Sequence, residues 1–276
     1  MKKRVIIFND NFNIDLTTNP RLKFLDFSEE DVSRNGNQIE MEGSDGVLTG
    51  PMNFGPFNLI LRFSYLGKDH KEYLLIKEKL RQTFNRRDPY YVWHSEMPGK
   101  KYAVIPEAQQ VEDKTDRFGE FEFSFSVYKG YSESLKDTSE FKWGDDAWQF
   151  EQGVMSDQEI KYNHDIRYFK IYNGSNDTIN PLLRHKLNIN LTLKAPNGFE
   201  LVNLTTDEVF EYKKALKKKT TINIVGVHPY IDNERVGKDT NYDFITLAPG
   251  YNEILIRGKG VPDNPQSEFI FNFIYR

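Results

Sequence analysis

The chain of 276 residues contains no cysteine. It therefore has no disulfide, no thiolate ligand for zinc and no cysteine nucleophile, and its domains must be stable through packing alone. Long apolar runs are also lacking. The run over residues 5–8, which follows a basic N-terminus, is too short for the apolar part of a signal peptide or for a membrane span. We interpret this run as a first β-strand and expect the chain to fold in a cytoplasm, without a membrane partner.

A strong charge of either sign is also absent. The chain has 37 basic and 41 acidic side chains, so its formal net charge is -4 at pH 7. Because nucleic-acid binding depends on neutralising phosphates with lysine and arginine, this balance argues against a specific nucleic-acid reader. Aromatic residues, by contrast, make up 14% of the chain, and Phe and Tyr favour the pleated, half-buried surfaces of β-sheets. The length favours two modest domains, each with its own core.

One segment has the hydrophobic period of an amphipathic helix. Its apolar residues recur at three- and four-residue steps, at Tyr73, Ile76, Leu80 and Phe84. This stripe predicts a helix over residues 69–85. Asp69 is placed to accept hydrogen bonds from first-turn amides, and Glu72 is placed to reach back, which is the pattern of a capping box. We expect this helix to be a single cover on a β-sheet.

The segments on either side of the helix are typical of β-strands. Residues 57–65 form a β-patterned run directly before it, and residues 121–128 alternate strictly between apolar and polar types. Strict alternation indicates an antiparallel strand with one face in the core and the other in solvent. We therefore predict that residues 1–130 form an N-terminal β domain with one helix.

The composition changes after residue 130. Residues 131–165 are polar and acidic and predict a linker, although Trp143 and Trp148 indicate that part of it docks on a domain. Residues 166–276 contain short β-patterned runs separated by turns, which predict a second, β-sandwich domain. Its strands are expected at residues 187–194, 199–203, 209–212, 220–225, 242–247, 253–257 and 269–275. Within this domain, two structures are compatible with residues 205–216. The first residues of this segment could cap a helix, but nearby β-branched residues favour a hairpin.

The region between residues 12 and 54 has a distinct pattern. Short apolar pieces alternate with turn residues, such as Asn35-Gly36 and the segment 43–46. This pattern predicts hairpins or an extended arm. An arm that cannot bury both faces on its own domain usually finds a neighbouring chain, so the region is a candidate subunit contact. The alternative is a set of solvent-exposed hairpin loops.

Residue patterns that carry catalysis or metal binding are missing. The five histidines are scattered without a close pair at metal-ligand spacing, and there is no G-x-S-x-G motif and no phosphate-binding loop. The paired carboxylates Asp145 and Asp146 lie in the predicted linker. We expect no enzymatic activity, no metal and no cofactor, which disfavours the alternative of a cell-wall hydrolase. The lysines between residues 213 and 219 are either a contact for an acidic polymer or a solvated hairpin tip.

The order of these pieces resembles one known family. In the first half, the resemblance rests on the glycine-marked segment 42–46, the strand and helix up to Phe84, Trp93 with residues 98–102, and residues 116–123. In the second half, it rests on residues 169–174, 178–181 and 247–254. Together they resemble the siphophage distal tail protein family over nearly the whole chain. Each motif is short, and their order and spacing carry the resemblance.

The resemblance implies a structural protein of a virion. Members of the family form homohexameric rings, single or stacked, at the distal end of long non-contractile tails. The N-terminal domain builds the ring, and the C-terminal domain is a galectin-like or carbohydrate-module-like sandwich at its periphery. The implied partners are the tail tube protein, the tail-tip hub or tail-associated lysin, and a receptor-binding protein, while DNA passes through without specific binding. The implied location is the distal tail tip, after assembly in a bacterial host cytoplasm.

Two sets of candidate site residues follow. In the implied ring, we expect subunit contacts from the arm and from the strand after it, at Asn35, Gly36, Gly43, Gly46, Leu59, Leu61 and Phe63. The alternative function is a carbohydrate- or receptor-binding baseplate module, with exposed aromatic residues at Tyr230, Tyr242 and Tyr251. In β domains such tyrosines are more often half-buried strand residues.

Overall fold

The computed structural model describes residues 3–43, 45–142, 160–262 and 264–276. The chain divides into two compact units, Met1–Glu133 together with Arg276, and Ser134–Tyr275. Most of the predicted linker, including Trp143, Trp148, Asp145 and Asp146, lies outside the described residues. No helix in the described ranges is long and apolar enough to span a membrane.

The first unit is built mainly of β-strands. Its elements are β1 (Val5–Asn9), β2 (Phe12–Asp15), β3 (Leu22–Glu29), β4 (Arg34–Glu40), β5 (Val47–Phe54), β6 (Phe57–Leu66), α1 (His70–Phe84), β7 (Tyr90–His94), β8 (Lys100–Thr115) and β9 (Phe118–Val127). Seven of the strands form an antiparallel sheet in the order β2-β1-β7-β8-β9-β6-β3. Strands β4 and β5 pair only with each other within the described residues. The predicted mainly β fold with one helix near the N-terminus is confirmed.

The helix α1 begins and ends where its sequence predicts. The Asp69 side chain accepts a hydrogen bond from the Glu72 amide at 2.8 Å, and the helix closes at Asn85. Glu72 reaches back to the amide of Lys68, one residue before the cap. Three residues of the predicted stripe are buried, namely Tyr73, Leu80 and Phe84. The helix thus covers the sheet with the apolar face that its period predicts.

Aromatic side chains fill the core of the first unit. Phe121, Phe123 and Phe125 of β9 are all buried, as the strict alternation predicts. The Phe84 ring at the end of α1 lies 4.0 Å from the Phe123 ring, measured between centroids. The sheet also curls, because Phe27 of the edge strand β3 lies 4.2 Å from His94 of β7, four places away in the strand order.

The second unit contains two antiparallel sheets. Strand β10 (Ser132–Ser134) spans the division between the units, and β11 (Asn163–His164), β12 (Tyr168–Asn173), β13 (Leu187–Ala195), β14 (Phe199–Asn203), β15 (Glu208–Tyr212), β16 (Leu216–Val225), β17 (His228–Ile231), β18 (Glu234–Arg235), β19 (Gly250–Arg257), β20 (Gln266–Phe271) and β21 (Ile274–Tyr275) follow. One sheet has the order β11-β20-β13-β16-β17-β18, and the other has the order β12-β19-β14-β15. The Phe169 ring of the second sheet packs edge-to-face on Phe269 of the first at 5.9 Å, so the two sheets share a core.

Two expectations for this unit have different outcomes. The hairpin is confirmed, because Asn203 pairs with Glu208 at the start of the β14–β15 ladder. The strand expected at residues 242–247 is wrong: only an isolated bridge at Leu247 forms there. Tyr242 has a left-handed backbone, with φ of 66°, and the Thr246 amide donates to the Glu208 carboxylate at 2.6 Å. Side chains therefore take the place of a neighbouring strand as hydrogen-bond partners in this segment.

Candidate assembly interface

The β4–β5 hairpin exposes an unusual amount of apolar surface. Its exposed large apolar residues are Ile39, Met41, Val47, Leu48, Met52 and Phe54. Ile39 and Leu48 are 63% and 58% exposed and lie directly opposite each other in the ladder, so they are on one face. An isolated two-stranded sheet is at best marginally stable in water. The hairpin therefore has both the surface and the need for a covering partner.

The base and the turn of the hairpin follow from its sequence. At the base, the Gly55 amide donates to the Ser33 carbonyl at 2.8 Å. At the turn, Gly43 and Gly46 have φ values of 84° and 85°, a conformation that glycine adopts without steric cost. Met52 lies over Gly36, where a Cβ atom would come within 2.8 Å of the Met52 sulfur. The sequence thus builds a defined two-stranded arm out of the region predicted from its turn residues.

The predicted subunit contacts fall into two groups. Asn35, Gly36, Gly43 and Gly46 lie on the hairpin and are exposed. The other three, Leu59, Leu61 and Phe63, are fully buried in the core of the first unit.

Assigning those three residues to a subunit surface is therefore wrong. Strand β6 lies between β9 and β3, and its alternate residues point into the core. The sequence carries the signal, because these residues alternate with Ile60 and Arg62, which are half-buried. The prediction missed the apolar hairpin residues Ile39 and Leu48. They could have been found in the sequence as apolar residues that lie between turn signals.

The three candidate tyrosines do not form one patch. Tyr230 lies half-buried on β17 of the six-stranded sheet, whereas Tyr251 lies on β19 of the four-stranded sheet. Tyr242 is 77% exposed in the loop after β18. Tyr251 packs on Tyr172, with ring centroids 4.9 Å apart. The structure therefore does not bring the three predicted residues together into one binding surface.

Two buried or half-buried ionisable groups of the first unit have shifted pKa values. His94 is fully buried, and burial together with the nearby charge of Lys100 lowers its pKa to about 4. Burial acts to lower the pKa of Lys129, but the Glu133 carboxylate 2.8 Å away outweighs it, and the pKa is raised. The described ranges contain no group of three or more side chains able to hold a metal ion.

The predicted lysine cluster belongs to the second unit. Lys217, Lys218 and Lys219 are exposed on β16, and Lys214 is paired with Asp239 at 2.9 Å. Lys217, Lys218 and Lys219 lie before the part of β16 that pairs with β17, and exposed lysines beside unpaired backbone help to prevent pairing with other chains.

A family model matches most of the first unit. Residues 14–127 match the family model of the phage tail protein RIFT-related domain. The whole fold is similar to the crystal structure of the Dit protein of phage SPP1, described as a paradigm of the hub adsorption apparatus in phages that infect Gram-positive bacteria. That alignment has a TM-score of 0.68 and 12% identity, and it covers 98% of this chain and 99% of that one.

Other comparisons add little. A chain of the phage P2 baseplate, in its activated conformation with calcium, aligns over 99% of this chain and 98% of its own at 9% identity. Its TM-score of 0.44 is too low to support an argument. No curated protein matches the sequence. The resemblance to the distal tail protein family, predicted from the order of the motifs, is confirmed by the family model and by the fold of the SPP1 protein.

Proposed function

We propose that this chain, whose residues 14–127 match the phage tail protein RIFT-related domain, is a structural subunit of the hub at the distal end of a long non-contractile phage tail. The observation that carries the proposal is the shared fold with a hub protein, which extends over 98% of the chain and includes both units. A structural role without catalysis agrees with the absence of catalytic motifs from the sequence.

The hub is a homohexameric ring, single or stacked, in which the first unit makes the subunit contacts. The β4–β5 hairpin supports this assignment because its apolar residues are exposed on the isolated chain. A closed ring covers such surfaces on every subunit with one repeated contact. It also protects strand edges that would otherwise pair with other chains. We assign the contact to the arm, including Asn35, Gly36, Gly43 and Gly46, and no longer to β6.

The ring joins the tail tube to the tail-tip hub or tail-associated lysin, and it anchors a receptor-binding protein at its periphery through the galectin-like or carbohydrate-module-like second unit. DNA passes through the ring. The near-neutral balance of 37 basic and 41 acidic side chains supports passage without retention, because a strongly basic bore would hold phosphates. Assembly takes place in the cytoplasm of the bacterial host, and the protein then remains at the distal tail tip.

Labelling of virions tests this location. Gold-conjugated antibodies against the chain are expected to bind at the distal end of the tail in electron micrographs of phage particles that contain it. Antibodies against the major tail tube protein of the same particles serve as a control, because they label the length of the tail. Gold on the capsid or along the whole tail would contradict the proposed position.

A further inference from the structure

A row of polar residues crosses the outer face of the six-stranded sheet in the second unit. Reading across the strands, each residue lies directly opposite the next, in the order Asn163, Glu268, Asn190, Asn223, Tyr230 and Arg235. Residues directly opposite in antiparallel strands share a face. Their neighbours along the strands, including Ile189, Ile224 and Phe269, are buried, so the row is on the face opposite to the core.

The middle of this polar row is held by hydrogen bonds between its own side chains. The Asn223 Nδ2 donates to the Asn190 Oδ1 at 2.7 Å, and the Asn190 Nδ2 donates to the Glu268 Oε2 at 2.8 Å. One level along the same strands, the hydroxyls of Thr192 and Thr221 lie 2.8 Å apart. A network of this kind fixes the orientation of each side chain before any ligand arrives.

These side chains retain hydrogen-bonding capacity. An amide side chain has two N–H donors and two acceptor lone pairs, and a carboxylate has about four acceptor sites. Within the described residues, Asn223 uses one donor, and Asn190 uses one donor and one acceptor site. The Glu268 Oε1 atom has no partner there. The polar row therefore presents fixed donors and acceptors, side by side, to whatever approaches the sheet.

A cleft of about 880 Å³ lies over one end of the polar row. Asn163, Asn190 and Glu268 of the row line it, together with Thr192 and Gln266. Such a volume is within the range of small-molecule sites, in which a few placed polar groups fix the orientation of the ligand. At the other end, the Tyr230 ring is half-buried on β17, and a tyrosine in that setting offers an apolar surface with a polar tip.

We propose that the polar row and its cleft bind a saccharide. Sugar rings have closely spaced hydroxyl groups that each donate and accept, which matches fixed amide and carboxylate groups at strand spacing. Their C–H faces match the flat surface of Tyr230. Of the three tyrosines considered from the sequence, this site uses Tyr230 and excludes Tyr242 and Tyr251. The proposal goes beyond the hub function and does not depend on ring formation.

Saturation-transfer difference NMR on the full-length protein tests the site. The probes are a panel of defined oligosaccharides built from hexoses, N-acetylhexosamines and 6-deoxyhexoses. At least one probe is expected to give a signal with the wild-type protein. Asn223→Ala removes a donor and acceptor of the row and is expected to weaken that binding by about tenfold, the factor that corresponds to loss of one hydrogen bond.

Two further variants make the test specific. Glu268→Gln keeps an oxygen that accepts from Asn190, so the network and the fold remain, but it removes the carboxylate and is expected to weaken binding several-fold. Glu211→Ala, on β15 of the other sheet, is the matched control and should bind like the wild type. The proposal is overturned if no probe gives a signal, or if Asn223→Ala and Glu268→Gln both bind as the wild type does. A negative result would not contradict the proposed ring, because ring formation is tested separately by the mass of the protein in solution.

Discussion

Between pH 7 and pH 4, the free energy of unfolding is expected to fall by about 3 kcal/mol less in the His94→Phe variant than in the wild-type protein. His94 is fully buried, and its ring contacts Phe24, Phe27 and Tyr102. Neither ring nitrogen has a hydrogen-bond partner within the described residues. The site therefore accommodates a neutral ring and disfavours a charged one.

The sign of the effect follows from the two states. In the folded protein the pKa of His94 is lowered to about 4, mainly by burial and also by the charge of Lys100, whereas an unfolded histidine has a pKa of about 6.5. Between these values the unfolded state binds a proton that the folded state does not bind. The free energy of unfolding therefore falls as the pH drops from about 6.5 to about 4, and His94 contributes no further change below that.

Urea denaturation of the two proteins at several pH values measures this difference. Any packing cost of the larger phenylalanine ring is the same at every pH, so the change in pH dependence reports on His94 alone. His70→Gln, at an exposed position at the start of α1, is the matched replacement of a histidine outside the core. Equal pH profiles for wild type and His94→Phe would contradict the account.

Replacing Ile39 and Leu48 together with threonine is expected to weaken self-association by about 100-fold or more per contact. Full burial of an Ile or Leu side chain contributes about 1.5–3 kcal/mol, and about 2.7 kcal/mol corresponds to a factor of 100 in the association constant. Threonine keeps a high β-propensity. Because both positions are largely exposed in the single chain, the fold of the subunit should be unchanged, with unfolding free energy within about 0.5 kcal/mol.

A matched pair of apolar residues provides the control. Leu182 and Leu183 in the second unit are 63% and 48% exposed, which is similar to the exposure of the hairpin pair. Their replacement with threonine should leave the oligomer intact, since the first unit makes the proposed contacts. The assignment of the hairpin would fail if sedimentation velocity gave the Ile39/Leu48 double variant the same assembly as the wild type, or if the Leu182/Leu183 variant lost it.

Local patterns predicted much of the fold. The stripe of α1 and the alternation of β9 each describe a single element whose core face is fixed by its period, and both are found where they were expected. The arm could be predicted as a region from its turn residues. Its bounds as the β4–β5 hairpin depend on which residues pair across the turn. The burial of Leu59, Leu61 and Phe63, by contrast, agrees with the alternation of β6, which the prediction of subunit contacts did not use.

Other features depend on residues that are distant in the sequence. The segment 242–247 has the composition of a strand, but the hydrogen bond from the Thr246 amide to Glu208 satisfies its backbone from another element. The polar row likewise forms only when six strands align in one register, with Glu268 beside Asn190 although 78 residues separate them in the chain. Propensity and period are local quantities, so neither arrangement is visible in them.

The central claim is that this chain builds the ring of a tail hub, and the absolute mass of the purified full-length protein tests it most directly. The measurement is light scattering after size exclusion at several concentrations. The account predicts a species of about 194 kDa, six times the 32.4 kDa of one chain, either at all concentrations or growing from the monomer as the concentration rises. A mass of 32.4 kDa at every concentration would contradict a ring formed by this chain alone.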